Sequence, residues 1–139
     1  MKSERYSGVI VKCNNQILLC KRNNKGSFPG MWSIPAGKIE ENETTQEAAK
    51  REFFEETAID IYNENLQFVG VIPRYTKDGK KVKGMMYVYL LVVQECLEPD
   101  FRRAKDGHEH TDWKYATLKE MTPMESGTYL YKLAEIVLK

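Results

Sequence analysis

Long apolar runs are missing from this chain of 139 residues. No stretch approaches the roughly 18 residues of a membrane-crossing helix, which argues against a helical membrane protein. The opening residues MKSERYSG hold no apolar core of a signal peptide, so a cytoplasmic location is expected. Cysteine is scarce. Cys13, Cys20 and Cys96 are odd in number and show no C-x-x-C spacing, so reduced, half-buried strand thiols are expected. Neither a disulfide framework nor a zinc site is expected. The two histidines, His108 and His110, flank Glu109 without the i, i+4 spacing of H-E-x-x-H, which speaks against a zinc protease. No internal repeat or low-complexity tract interrupts the chain. Its length suits one domain, residues 1–139, able to bury about two-thirds of its unfolded surface.

What the chain has in quantity is carboxylate, and in one place. Between Glu40 and Glu56 stand seven glutamates against only Lys50 and Arg51, a local charge of −5 in a chain of net charge +1. Carboxylates this crowded repel one another unless a cation sits among them. Thr44 followed by Glu47 is a capping box that starts a helix at about Thr45, and the helix formers after it carry the helix to about Thr57. At roughly 100° per residue, Glu52, Glu55 and Glu56 share one face, with Ala48 and Ala49 near it. Three converging carboxylates suit a hard, oxygen-loving cation, Mg²⁺ or Mn²⁺. A solvated acidic helix face is the plainer alternative for such a pattern.

The residues around the helix decide between them. Gly37, Glu43, Arg51-Glu52, Phe53, Glu55-Glu56 and Ile59 stand at the spacing of Gly-x5-Glu-x7-Arg-Glu-U-x-Glu-Glu-x-Gly-U, where U is a bulky apolar residue. This resembles the Nudix box, with Ala58 in place of the final Gly. The resemblance implies that Glu52, Glu55 and Glu56 hold divalent metal, with the Ala36 carbonyl as a further ligand. It implies a supporting salt bridge between Arg51 and Glu43. It also implies an α/β/α sandwich with a mixed sheet between helices, which agrees with the strands read on either side of the helix. At the departure, Gly would tolerate φ > 0 at the helix end, so Ala58 costs about 1 kcal/mol if the left-handed conformation is kept.

The rest of the chain reads as strands and turns. Tyr6 to Lys12 and Gln16 to Arg22 flank Asn14-Asn15, a hairpin signal. Leu66 to Tyr75 and Val82 to Gln94 are strand-like, joined by a lysine-rich tip with Asp78-Gly79 as its turn. That tip reads as solvated, because a nucleic-acid surface would want interleaved aromatics and broader charge. Gly84 marks a bulge or a close backbone approach. Trp32 reads as a packing residue. A charged loop from Glu98 to Thr111 leads to a short strand, Asp112 to Ala116. A short helical turn follows from Leu118 to Met121. Ser126 is expected to cap a last helix whose buried stripe is Leu130, Leu133, Ala134, Val137 and Leu138.

In reaction terms, the resemblance implies metal-dependent hydrolysis of a nucleoside diphosphate linked to another moiety. The Glu109-His110…Trp113 run resembles the late loop of many Nudix enzymes, where a Glu joins the metal cluster or serves as general base. Glu52 and Glu109 are thus both candidates for the base, with Arg51 supporting them. Arg22 and Arg74 are candidates to bind phosphate oxygens. A Tyr at the position of Tyr75 accompanies dinucleoside polyphosphate hydrolysis in the family. Pro73 lies one residue short of an ADP-ribose marker. Nucleoside triphosphates remain equally open. A catalytically silent nucleotide-binding domain is the reading of another class, although no metal-binding glutamate of the box is lost. The expected partner is a small nucleotide, without membrane or nucleic acid, and the expected state a monomer or homodimer.

Overall fold

The computed structural model describes residues 4–25, 28–76 and 78–138. The chain runs through β1 (Glu4–Cys13), β2 (Gln16–Arg22), β3 (Trp32–Ser33), β4 (Ala36–Lys38), α1 (Thr45–Thr57), β5 (Gln67–Tyr75) and β6 (Val82–Val92). It then continues through β7 (His110–Ala116), α2 (Pro123–Ser126) and α3 (Thr128–Val137). Turns of 3-10 helix at Gly107–Glu109 and Leu118–Glu120 link the later elements. Asn14 and Asn15 both take positive φ, 52° and 58°, the twist that a two-residue hairpin turn needs. At the tip between β5 and β6, Gly79 sits at φ 74°; Lys77 of that tip lies outside the described residues.

Among the described residues, the strands form one mixed sheet of order β3-β2-β1-β6-β5, with β4 added to β1 and β7 to β2. β1 and β6 pair in parallel from Glu4↔Gly84 to Lys12↔Val92, and the other pairings are antiparallel. Side chains alternate across the strands and so build two cores. On one face Tyr6, Ile10, Ile17, Leu19 and Val88 meet Leu130, Leu133, Ala134 and Val137 of α3. On the other, Val9, Val11, Leu18, Tyr89 and Leu91 meet Ala49 and Phe53 of α1. The sheet therefore lies between helices, the α/β/α sandwich expected from the sequence. The expected α3 stripe is buried throughout.

The edge of β1 that faces β2 is shared. Its last residues pair with β2, while Tyr6, Ser7 and Gly8 pair with β4. The sheet divides there, and β4 is led up beneath α1. Trp32 packs against the α3-side core with Lys114 Nζ 4.2 Å above its ring, a packing role as expected. Both readings of Gly84 hold: a Cβ there would stand 1.9 Å from the Glu4 carbonyl oxygen, and the register slips beside it, where Arg74 pairs with Gly84 but Tyr75 with Val82. A second shift falls at Phe68/Gly70.

Two expectations are corrected. Ser126 ends α2 rather than capping α3, whose N-cap is Gly127 at φ 88° and ψ 144°. The positive φ lets the chain turn from one helix directly into the next, which a serine at that position would resist. Cys13 and Cys96 are not reduced thiols but a disulfide, their Cα atoms 5.5 Å apart across 83 residues. Parallel pairing of β1 with β6 brings the ends of both strands together, and Val93 N–H still donates to the Lys12 carbonyl at 3.0 Å. Sequence spacing does not display that meeting. Cys20 remains a free, buried thiol.

Candidate active site

The site is assembled on α1. Thr44 Oγ1 accepts from Glu47 N–H at 3.0 Å, and the Glu47 carboxylate accepts from Thr44 N–H at 2.8 Å, so the capping box forms as expected. At the other end Ala58 adopts φ 64° and ψ 16°, left-handed, and its N–H donates to the Phe54 carbonyl at 2.9 Å. The buried Ala48, Ala49 and Phe53 seat the helix against the sheet. That orientation sends Glu52 and Glu56 towards β4. Ala36 N–H donates to Glu56 Oε1 at 3.4 Å, and a Cβ on Gly37 would come within 2.2 Å of the Glu52 carboxylate. The first glycine of the box is therefore the space in which Glu52 sits.

Arg51 is the organising cation. Its Nε donates to Glu43 Oε2 at 2.6 Å and Nη2 to Glu43 Oε1 at 3.0 Å, the expected pair in bidentate form. Nη1 reaches Glu52 at 2.8 Å and Glu55 at 3.1 Å, while Nη2 also donates to the Lys38 carbonyl at 2.9 Å. The Arg51 hydrogen bonds hold the Glu43 carboxyl below its ordinary range.

Deeper in, the balance is reversed. Glu56 is 1% exposed, and burial pushes its proton affinity far up, with Glu109 and Glu52 adding repulsion. Burial also raises Glu52, against hydrogen bonds from Glu56 and Arg51 that lower it, and raises Glu109 against the pull of Arg22. As a carboxylate, Glu56 leaves Oε2 buried without a donor. A proton held on Glu56 and given to Glu52 relieves both. Behind them His110 Nε2 lies 3.7 Å from Glu56 Oε1, buried, with its ring stacked 5.5 Å from that of Phe101. Burial, then Arg22, lowers the His110 pKa to about 4, so the imidazole is neutral at pH 7. Glu109 is tied to the end of β2, its carbonyl accepting from Asn23 N–H at 2.9 Å.

This donor set fits a hard divalent cation: a buried Glu56 repelled by half-buried Glu52 and Glu109, with an orphaned Glu56 oxygen, is what such an ion relieves. Among the described residues, no three such groups converge tightly enough to enclose an ion as they stand. Glu55 is turned towards Arg51 and Lys105, at 3.1 and 3.9 Å, and would have to leave them to join Glu52 and Glu56.

Beside the carboxylates opens a cleft of about 390 Å³. Arg22 and Arg74 line it, and both act electrostatically on Glu109. The Arg74 guanidinium stacks 4.6 Å from the Tyr6 ring centroid, and burial followed by repulsion from Arg22 lowers its pKa. Phe28, Met31, Ile72 and Leu130 give the cleft apolar lining, and Tyr75 stacks on Tyr129 at 6.3 Å between ring centroids. Arg51 thus touches Glu52 and Glu55 and Ala36 touches Glu56, while Arg22, Arg74 and Tyr75 line the cleft, with Arg22 and Arg74 acting on Glu109. Sequence reasoning named His110 only within the late-loop run, not as the buried neighbour of Glu56, and overlooked the α3 wall of the cleft at Tyr129. The positive-φ Gly127 that delivers Tyr129 there was the available signal.

A family model described as NUDIX domain matches residues 3–133. A nucleoside triphosphatase NudI of Enterobacter sp. (strain 638) is 37% identical over 123 residues, covering 84% of this chain and 83% of that protein. An 8-oxo-dGTP diphosphatase of Proteus vulgaris is 40% identical over 55 residues, 40% of this chain; the match spans about half of that relative, 49%. In fold, the chain is similar to a MutT NUDIX hydrolase from Burkholderia pseudomallei, with a TM-score of 0.76 at 22% identity and 96% of each chain covered. The NUDIX domain of Shewanella oneidensis NrtR, complexed with ADP ribose, gives a TM-score of 0.74 at 17% identity, covering 100% of this chain and 90% of that one. With its box, its sandwich and its acidic helix in place, the chain belongs to the Nudix hydrolase family.

Proposed function

We propose that the chain hydrolyses a diphosphate bond of a nucleoside triphosphate, with Mg²⁺ held by Glu52, Glu55 and Glu56 and joined by Glu109 and the Ala36 carbonyl. The observation that carries this reading is the buried Glu56, with Glu52 and Glu109 near it and raised in proton affinity, beside a cleft lined by Arg22 and Arg74. The curated relatives of triphosphatase and diphosphatase name support it. When bound, the ion would neutralise diphosphate charge and lower the pKa of a bound water. Arg22 and Arg74 hold the phosphate oxygens, and the apolar lining of the cleft, with Tyr75 against Tyr129, receives the base. Water attacks phosphorus, the bond to the bridging oxygen breaks, and a carboxylate takes the water's proton. Glu109 is the better base of the two candidates, because Arg51 already donates to Glu52 and weakens it as an acceptor. Arg51 acts by holding Glu43, Glu52 and Glu55 in place. In this reading residues 1–139 work as one domain on a small nucleotide in the cytoplasm.

A panel of nucleoside triphosphates, dinucleoside polyphosphates and ADP-ribose, assayed for phosphate and pyrophosphate release with and without Mg²⁺, tests this. Mg²⁺-dependent release from the triphosphates is expected. Nucleotide binding without turnover under every metal tried would establish the silent-domain reading instead.

A further inference from the structure

The sulfurs of Cys13 and Cys96 differ sharply in their surroundings. Cys13 is 0% exposed at the end of β1, whereas Cys96 is an exposed residue in the segment after β6. Cys13 Sγ also lies 3.8 Å from the Gln94 carbonyl oxygen, an acceptor of the kind a thiol at this place would use. Asn14 Nδ2 stands 3.9 Å from Cys96 Sγ as a weak donor to it. Each sulfur thus has a polar neighbour within 4 Å that a separate thiol could also use. The segment that Cys96 opens leads to the candidate site. Leu97 C=O accepts from Tyr115 Oη at 2.7 Å, and Asp100 N–H donates to the Thr57 carbonyl at 2.9 Å. Asp106 N–H donates to the Glu55 carbonyl at 2.7 Å, and Glu109 follows. This one segment therefore satisfies carbonyls at the C-terminal end of the acidic helix and carries the late glutamate.

We propose that Cys13–Cys96 is a thiol–disulfide exchange site, open at Cys96 to dithiols and disulfides, that sets how firmly residues 96–109 are held against the end of α1. The exchange balances as follows. A thiolate of a dithiol reductant attacks the sulfur of the exposed residue Cys96, the S–S bond breaks, and Cys13 leaves as a thiolate that takes a proton from water. The second thiol of the reductant attacks the mixed disulfide, releasing Cys96 as a thiol and leaving the reductant as its own disulfide. Two electrons pass from reductant to protein. Oxidised glutathione drives the reverse, yielding two molecules of the reduced tripeptide. Buried Cys20 takes no part: burial pushes its thiol pKa well up, which keeps it from forming the attacking thiolate.

The test uses the full chain equilibrated with oxidised glutathione or with dithiothreitol, quenched in acid and alkylated after unfolding. One adduct is expected from the oxidised sample and three from the reduced, since the chain has three cysteines and Cys20 is the free one. The closed loop is long, so the melting midpoint should fall on reduction by on the order of 10 °C. Hydrogen exchange at residues 96–109 should quicken at least about tenfold while the β1–β6 ladder keeps its protection. Cys96→Ser should melt and exchange as the reduced protein does under both conditions, and Cys20→Ser should keep the full shift in midpoint and exchange. Three adducts after treatment with oxidised glutathione would overturn the proposal, as would equal midpoints in the two samples. Faster exchange spread evenly over the sheet would overturn the assignment to this segment. If Cys96→Ser does not fold, the two states of the unmutated chain decide alone.

Discussion

Gly37→Ala isolates the position of a single carboxylate. A Cβ at residue 37 would stand 2.2 Å from Glu52 Cδ and Oε2 and 2.5 Å from Oε1. Carbon contacts settle near roughly 3.5 Å, so the carboxylate must withdraw by about 1 Å. The backbone itself is compatible with alanine, since residue 37 is not among the positive-φ glycines. Withdrawal breaks the 2.8 Å bond from Arg51 Nη1 to Glu52 Oε1. A hydrogen bond to a charged group contributes about 1.5–3 kcal/mol, and replacing a strand glycine by alanine returns about 0.5–1 kcal/mol. The net loss should be about 1–2 kcal/mol, a drop of roughly 5 °C in melting midpoint. Turnover should suffer far more, because a misplacement of about 1 Å can cost about a hundredfold in rate. KM should change little, since the cleft that receives the nucleotide is untouched. Steady-state kinetics across a Mg²⁺ titration, paired with a thermal melt, measure both. A kcat within about threefold of the unmutated enzyme at limiting Mg²⁺ would show that Glu52 has room to move, and the reasoning would fail.

Ala58→Gly should raise stability by up to about 1 kcal/mol by relieving the left-handed alanine, less what the unfolded chain gains in freedom, with turnover unchanged; a lower denaturant midpoint would refute it. Arg51→Lys keeps the charge but loses the planar fork that serves Glu43, Glu52 and Glu55 together, so kcat should fall at least about tenfold while the fold persists. Unchanged kcat with a native circular dichroism spectrum would count against the hub. Glu56 has a proton affinity raised above its ordinary 4.5 by burial, so its contribution to metal-free stability is full below that value and is lost as pH rises through the raised one. Melts from pH 4.5 upward should therefore show a decline that Mg²⁺ offsets and that Glu56→Gln flattens. A decline as steep in the Gln variant would point to another group. Glu109→Gln should lower kcat by about a hundredfold and remove the acidic limb of its pH profile, whereas an unaltered profile would return the base to Glu52.

What was legible from sequence was what local chemistry dictates. The Glu43–Arg51 pair and the left-handed turn at Ala58 were implied by the resemblance to the Nudix box, whereas the Thr44–Glu47 box depends on residues within one turn of each other. The hairpin at Asn14-Asn15 is of the same kind, since its two φ values belong to the residue type. What escaped depends on topology. Cys13 meets Cys96 because β1 and β6 are parallel, and no spacing within either strand announces a parallel partner. His110 lies behind Glu56 because β7 pairs with β2 and sets it opposite Arg22. Ser126 looked like a cap because Ser favours that role, but the tertiary path demanded a positive φ one residue later, where only Gly127 is comfortable.

Parallel pairing of β1 with β6 also dictates when the fold can close. Each β1 residue waits for a partner 80 positions downstream, from Glu4 with Gly84 to Lys12 with Val92. At synthesis rates of about 5–20 residues per second, the buried strand Val9–Val11 spends several seconds without its neighbour. β2 and β4 can shield one edge of it in that interval, since both precede α1. The edge meant for β6 stays open until the second half of the chain emerges. Folding should thus be slow for a chain of this size, as non-local pairing requires. A nascent chain halted before Val82 should present β1 as an unpaired apolar edge, a surface to which chaperones and other copies of the chain can bind.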